Sequence, residues 1–199
     1  YLPRHAEHYE AEHNFEFSHD DVVLRGWRIN PDMDRAIMYF GGNAERIDYN
    51  LHWMQQALPD YTLYLVNYRG YGRSTGKPTE QGLLSDALAL YDHINEQHRH
   101  VSLIGRSLGT GIASYLGAHR KPERIVLITP YDSILNIAKR RYGIFPIDLM
   151  LKDRYESWKY ASSVDAPVLI AFAEHDFIVP AWSTLNLVSV IPEKRLTLE

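Results

Sequence analysis

The chain has 199 residues and a formal net charge of −4, with 45% hydrophobic and 23% charged residues, a composition that suits a globular domain with its own core. The absence of cysteine excludes disulfides, thiolate catalysis and cysteine-type zinc sites, and the acidic balance gives no support for a nucleic-acid partner. No segment approaches the ~20 consecutive apolar residues of a membrane-spanning helix.

Short apolar runs alternate with helical stretches along the chain, a pattern typical of a mostly parallel sheet covered by helices on both faces. Before that alternation begins, residues 15–30 alternate around a polar turn, which predicts a leading antiparallel hairpin. The predicted strands that follow share a continuously apolar character and lie at 35–40, 61–68, 101–105, 124–130, 167–173 and 195–199.

Apolar residues at helical spacing predict helices over 80–97 and 107–119. Thr79 is a candidate N-cap of the first helix, because its hydroxyl can accept a hydrogen bond from the first turn. Pro180 is placed to begin another helix that runs to about Val190.

Residues 133–160 do not fit this rhythm, because Gly143 and Pro146 interrupt a stretch rich in large apolar and aromatic side chains. We interpret the stretch as a small, cap-like helical insertion over the sheet edge. The alternative is a set of ordinary core-packing helices. In either case the sequence predicts one domain over residues 1–199.

A serine lies between two glycines at the junction of a predicted strand and a predicted helix. In this G-x-S-x-G pattern, Ser107 is the candidate nucleophile, and Gly105 and Gly109 remove the Cβ atoms that a sharp turn would bring together. The turn also puts the hydroxyl at a helix N-terminus, which favours developing negative charge. The alternative is a serine that only caps the helix.

A second donor for an oxyanion hole is offered by the Gly41-Gly42 pair, which follows the first predicted parallel strand. Glycines in that place let backbone N–H groups turn into a site at the sheet edge. The predicted donors are the N–H groups of Asn43 and Leu108. The alternative is a plain turn.

The sequence resembles the α/β-hydrolase superfamily, and most closely its serine aminopeptidase or monoacylglycerol-lipase-like branch, which includes esterases and protein depalmitoylases. The matching stretches are FGGNAE, NYRGYGRSTGKPTE, LIGRSLGTGIA, LITPYDSI and EHDFIVP. The resemblance implies an α/β-hydrolase fold and a Ser–acid–His triad. One departure is Gly41, since related proteins often carry His-Gly-Asn where this chain has Gly-Gly-Asn; a polar pocket contact is lost and the backbone donor is kept.

The resemblance implies that the catalytic acid is Asp176, which follows the predicted strand at 167–173. Its carboxylate would fix the tautomer of the catalytic histidine and stabilise the imidazolium. Asp132, in the sequence TPYDS, occupies another loop where some relatives place the acid. The remaining alternative is that both are ordinary loop aspartates.

The catalytic base is missing from the place where the resemblance puts it. In this fold the order is serine, acid, histidine, and no histidine follows Asp176. His175 is a weak candidate, because neighbours on an extended segment point apart. We therefore expect that the chain is truncated just before the base.

The N-terminal sequence HAEHYEAEH fits no zinc-ligand spacing, and we expect no metal and no cofactor.

The pattern as a whole predicts a serine hydrolase that cleaves carboxylic esters or thioesters through an acyl-enzyme on Ser107. An apolar acyl group would suit Tyr142, Ile144, Phe145 and Met150 of the insertion if those side chains face the site. The expected partner is therefore a small-molecule or acylated substrate.

Two other functions stay open. An amide or peptide hydrolase would need a carboxylate for the substrate amine, for which Glu45 and Glu174 are candidates, although surface charge is the simpler interpretation of each. A non-catalytic binding protein of the same fold would explain the missing histidine.

The chain begins at Tyr1, so the protein is expected to be either cytoplasmic or anchored to a membrane through a missing N-terminal segment.

Overall fold

The computed structural model describes residues 12–173 and 176–199, and these residues form one eight-stranded sheet. Its strands are β1 (Phe15–His19), β2 (Val22–Ile29), β3 (Arg35–Phe40), β4 (Thr62–Val66), β5 (His100–Arg106), β6 (Ile125–Ile128), β7 (Val168–Ala171) and β8 (Leu196–Leu198). They lie in the order β1-β2-β4-β3-β5-β6-β7-β8. The β1–β2 and β2–β4 pairs are antiparallel and all later pairs are parallel, which confirms the predicted mostly parallel sheet.

The helices connect these strands, as in other sheets built from parallel crossovers. They are α1 (Leu51–Ala57), α2 (Glu80–Asn95), α3 (Leu108–His119), α4 (Ile134–Arg141), α5 (Ile147–Met150), α6 (Trp158–Ala161) and α7 (Ala181–Val188), with short 3-10 helices at Ile47–Asn50 and Glu193–Arg195. Thr79 caps α2 as predicted, since its hydroxyl accepts a hydrogen bond from the Gly82 N–H at 3.2 Å.

Both faces of the sheet are buried in the half that carries β3 and β4. On β3, Met38 and Phe40 pack into the large core beneath α2 and α3, while Ile37 and Tyr39 pack into a smaller core that includes Met54 of α1. The alternation follows from the strand period of two. It explains why the sequence of β3 is continuously apolar rather than alternating.

The stretch predicted as an insertion contains three short helices, α4 to α6. Leu135 is the one buried residue of α4, and α5 has no buried residue. Tyr155 of the same stretch is buried in the large core, so the stretch contains both packed and exposed residues. Its interpretation as an insertion stays a prediction. The single-domain organisation over residues 1–199 stays a prediction.

Candidate active site

The turn that carries Ser107 lies between β5 and α3. The residue adopts φ 49° and ψ −114°, a backbone conformation that L-residues avoid. Its N–H donates to the Ile128 carbonyl of the neighbouring β6 at 2.9 Å, which continues the sheet up to the turn. Within the described chain its hydroxyl makes no capping hydrogen bond to α3, and the side chain is half-buried rather than packed in the core.

The two flanking glycines are required by contacts with backbone atoms. A Cβ on Gly105 would lie 2.5 Å from the Gly109 carbonyl oxygen, and a Cβ on Gly109 would lie 2.0 Å from the Phe40 carbonyl oxygen. Both distances are far below a van der Waals contact, so any side chain would force the backbones apart. The first turn of α3 therefore lies directly against the end of β3.

The loop after β3 is in contact with this turn. A Cβ on Gly42 would lie 3.7 Å from the Ser107 Cβ, so the two loops touch at this point. The Tyr68 hydroxyl donates to the Gly41 carbonyl and the Tyr71 hydroxyl donates to the Asn43 side-chain oxygen, each at 2.7 Å. These two bonds fix the loop from outside; burial raises the pKa of Tyr68, so its hydroxyl stays a donor.

The predicted oxyanion donors meet Ser107 at one cavity. Asn43, Ser107 and Leu108 all line it. Leu108 is the first residue of α3, so its N–H has no acceptor within the helix. A group bound beside Ser107 would therefore lie at the positive end of a twelve-residue helix.

The cavity has a volume of about 330 Å³ and mostly apolar walls. Its larger side chains come from the loop after β6, from the insertion and from the loop after β7, namely Tyr131, Ile134, Ile137, Leu151, Tyr155 and Val179. Asp153 carries the one charge among the described residues that line it, and its Oδ1 accepts a hydrogen bond from the Glu80 N–H at 2.7 Å. The cavity fits an apolar group next to the serine.

The residues expected to hold the acyl group do not line this cavity. Tyr142, Ile144, Phe145 and Met150 are 52%, 96%, 59% and 65% exposed, so that expectation was wrong. Gly143 lies among them, and the chain here forms only a turn and a single helical turn, so among the described residues these side chains stay exposed. The insertion instead contributes residues on either side of this segment.

Asp176 is not among the residues that line the cavity, but it is hydrogen-bonded to two residues that are. Its Oδ1 accepts hydrogen bonds from the N–H groups of Ile178 at 2.7 Å and Val179 at 2.9 Å, and both of those residues line the cavity. The side chain is half-buried. The loop thus uses one carboxylate oxygen to fold, while no bond to the other oxygen is found among the described residues.

Asp132 lies in a different environment. It is 2% exposed, and its carboxylate accepts hydrogen bonds from four groups of the surrounding fold. These are the Ser133 N–H, the Ser183 hydroxyl, and the side-chain amides of Asn136 and Asn186. With both oxygens engaged, Asp132 is suited to holding α4 and α7 together rather than to orienting an imidazole.

None of the seven histidines in the described residues lines the cavity. Each has a polar partner elsewhere in the fold: His13 with Asn67, His19 with Ser85, His52 with Gln56, His93 with Gln97, His98 with Tyr64, His100 with Glu123, and His119 with the Tyr115 carbonyl. His175, Glu174 and the N-terminal stretch up to residue 11 lie outside the described residues.

Glu45 was assigned from the sequence to surface charge or to a substrate amine, and the surface assignment is wrong. Its side chain is only 11% exposed and it binds groups of the protein itself. The sequence held one signal for this, the short spacing from Gly42 to Glu45, which a turn can close.

In the described part of the chain no metal-binding group of three or more acidic or histidine side chains is found, nor any helix long and apolar enough to cross a bilayer.

Comparison with known proteins now identifies the family. The sequence profile of the serine aminopeptidase S33 family matches residues 32–140, more than half of the chain. The chain belongs to this family. An uncharacterized protein of Mycobacterium tuberculosis is 35% identical over 189 residues, and the lysophosphatidylserine lipase ABHD12 of Danio rerio is 33% identical over 171 residues.

The alignment with the Mycobacterium tuberculosis protein covers 88% of this member of the S33 family, and the alignment with ABHD12 covers 73% of it. The aligned parts make up 66% and 44% of the relatives' own lengths.

Solved structures confirm the α/β-hydrolase fold. The Pyrococcus furiosus esterase Pf2001 matches with a TM-score of 0.72 at 18% identity, over 99% of this chain and 87% of the esterase. The monoacylglycerol lipase of Paleococcus ferrophilus matches with a TM-score of 0.66 at 17% identity, over 90% and 88% of the two chains. The protein is therefore an α/β hydrolase of the S33 family with esterases and lipases among its relatives.

Proposed function

We propose that this protein is a serine hydrolase that cleaves carboxylic esters or thioesters through an acyl-enzyme on Ser107. The observation that carries the proposal is the backbone of Ser107, which is strained at φ 49° while its hydroxyl caps no helix and borders an apolar cavity. Strain of this kind costs on the order of 1–3 kcal/mol, and it is retained at sites where it serves function.

In the proposed reaction, the Ser107 oxygen attacks the substrate carbonyl and its proton passes to the general base. The N–H groups of Asn43 and Leu108 donate to the resulting oxyanion. Collapse of the tetrahedral intermediate breaks the bond to the alcohol or thiol, which leaves with a proton from the base. Water then attacks the acyl-enzyme in the same way and releases the carboxylic acid.

Asp176 is the proposed acid, and its role is to orient the base and stabilise its protonated form. It suits this role better than Asp132, because Asp132 is enclosed by donors from the fold. No described histidine reaches the cavity, so the base lies outside the described residues. The base that the serine–acid–histidine order of the fold calls for is a histidine.

The substrate we propose carries an apolar acyl group. The walls of the cavity are mostly aliphatic and aromatic, and its volume suits a small apolar chain. Relatives with lipase names, the lysophosphatidylserine lipase and the monoacylglycerol lipase, support an acyl ester.

One observation favours an amide or peptide hydrolase as a second candidate. Asp153 places a carboxylate in the cavity wall, and only one of its oxygens is bound by the helix α2. Such a group could pair with the amine of an aminoacyl substrate. This candidate predicts that aminoacyl amides are cleaved and that Asp153→Asn slows them far more than it slows simple esters.

The test uses the full natural protein, a fluorophosphonate probe and p-nitrophenyl esters of increasing acyl length. We expect covalent labelling and ester hydrolysis in the parent, both lost in Ser107→Ala. The matched control is Ser114→Ala, since Ser114 lies in α3, the helix that follows Ser107, is buried and has no hydrogen-bond partner for its hydroxyl among the described residues. Absence of labelling in the parent would favour a non-catalytic binding protein.

A further inference from the structure

Glu45 is a buried carboxylate that four donors hold in place. Its Oε2 accepts from the Gly42 N–H at 2.5 Å. Its Oε1 accepts from the Tyr39 hydroxyl at 2.7 Å and the Asn50 amide at 2.8 Å, and it lies 3.2 Å from Nη1 of Arg106. The number of bonds is unusual for a glutamate in a loop, and it indicates a structural task at this position.

Two of the four donors belong to the two loops that meet at the nucleophile. Gly42 immediately precedes Asn43, and Arg106 immediately precedes Ser107. The carboxylate of Glu45 therefore bridges the proposed oxyanion loop and the nucleophile turn. The Gly42 N–H donates to Glu45 and therefore cannot also donate to an oxyanion. The next N–H of the loop, that of Asn43, is left to serve as the oxyanion donor.

The packing around this carboxylate explains the glycine pair. A Cβ on Gly41 would lie 2.7 Å from Cγ2 of Ile47 and 3.3 Å from Oε2 of Glu45, and a Cβ on Gly42 would lie 3.1 Å from the same oxygen. The space beside residue 41, where related proteins often carry histidine, is thus filled by Ile47 and Glu45.

The charge of Glu45 is compensated where it would otherwise oppose catalysis. A lone carboxylate behind an oxyanion hole would repel the developing negative charge. Arg106 offsets it, and the carboxylate in turn raises the pKa of Arg106, so the guanidinium keeps its positive charge beside the loop. Glu45 does not line the cavity and therefore touches no substrate.

We propose that Glu45 is a positioning residue that fastens the Gly41–Asn43 loop to the Arg106–Ser107 turn and so sets the distance between the two oxyanion donors. This inference rests on the proposed function, because it concerns the geometry of the same reaction. It assigns to Glu45 an effect on the rate of acylation rather than on substrate binding.

The test compares Glu45→Gln and Glu45→Ala in the full natural protein. Gln keeps one acceptor oxygen for the Gly42 N–H but loses the charge that holds Arg106, so we expect kcat to fall about 10-fold. Ala removes every bond, and we expect a fall of about 100-fold, the loss typical of a misplacement near 1 Å. KM should change less than about two-fold in both, and fluorophosphonate labelling should slow in parallel with kcat.

The control is Asp86→Asn. Asp86 is also a buried carboxylate paired with an arginine, Arg69, but it lies outside the active-site cavity. It should lower thermal stability while the folded enzyme keeps its kcat. The inference is overturned if Glu45→Ala is folded and has the parent's kcat, or if Asp86→Asn lowers kcat as much. A parent that is neither labelled nor active refutes the proposed function, and this inference with it.

Discussion

Gly109→Ala is the substitution that tests most directly how the active site is built. Gly109 lies in the first turn of α3, where a Cβ would lie 2.0 Å from the Phe40 carbonyl oxygen and 2.5 Å from the Phe40 carbonyl carbon. Both atoms are backbone atoms at the end of β3, so no rotamer change can relieve the contact. The helix and the strand must move apart.

The size of the movement follows from the contact distance. Ordinary van der Waals contact begins at 3.4 Å, so the gap must open by about 1.4 Å. Overpacking of this kind costs roughly 1–3 kcal/mol, and the better helix propensity of alanine returns up to about 1 kcal/mol. We therefore expect a loss of about 0–3 kcal/mol in the free energy of unfolding.

The effect on activity should be larger than the effect on stability. Phe40 leads directly into the Gly41–Asn43 loop, and Gly109 follows Ser107 by two residues, so the movement separates one oxyanion donor from the other. A misplacement of about 1 Å at a reacting centre costs on the order of 100-fold in rate. We expect kcat for ester hydrolysis to fall by about that factor in a protein that is still folded.

The assay pairs urea unfolding with steady-state kinetics, and Gly117→Ala is the control. Gly117 lies in the same helix, and a Cβ there would meet the flexible end of Ile125, at 2.5 Å from Cδ1, rather than a backbone atom. Ile125 is buried and Val164 lies 3.2 Å from the same Cβ position, so these side chains must shift while β3 stays in place. This variant should lose about 1–3 kcal/mol of stability and keep its kcat. A folded Gly109→Ala protein with full activity would refute the argument that the glycine sets the distance between β3 and α3.

Two further predictions concern charged groups. Asp132→Asn should lower the free energy of unfolding by about 2–3 kcal/mol, because the new amide group would face buried donors. Asp176→Asn keeps the oxygen that holds its loop, so it should lower kcat by about 10³–10⁴-fold with little loss of stability. Equal stability losses of the two variants in urea unfolding would contradict these different roles. Burial, then Arg73 and Arg25, lower the pKa of His13, so the unfolded chain takes up the proton first as pH falls through about 6.5. The free energy of unfolding should therefore decrease as the pH is lowered from about 7.5 to about 5.5, and it should decrease less in His13→Gln than in the parent. An identical decrease in both proteins would show that His13 is not responsible.

The features that the sequence predicted well are those fixed by neighbouring residues. The strand before Ser107, the helix after it and the two glycines lie within residues 100–119, and the observed turn uses all of them. The same holds for the Thr79 cap of α2. Strand ends were less accurate, as at 61–68, where β4 covers only Thr62–Val66, because ladder pairing with β2 and β3 sets the ends.

The features that the sequence missed depend on contacts between distant parts of the chain. Glu45 is defined by Arg106, sixty-one positions away, and Asp132 by Ser183, fifty-one positions away. The local spacing from Gly42 to Glu45 indicates a turn, but it does not show that the carboxylate is buried against Arg106. The apolar residues of the insertion failed for the same reason, since only the tertiary fold decides which of them meet the cavity.

The strain at Ser107 links these two groups of features. A positive φ at a residue with a side chain persists only where the surrounding structure determines it from several directions. Here the N–H of Ser107 is bound to β6, the flanking glycines are pressed between α3 and β3, and Glu45 holds Arg106 on the remaining side. The local glycines make the turn attainable, but the distant contacts keep it in place. Substitutions at Gly109 and at Glu45 should therefore lower the rate more than they lower the stability of the fold.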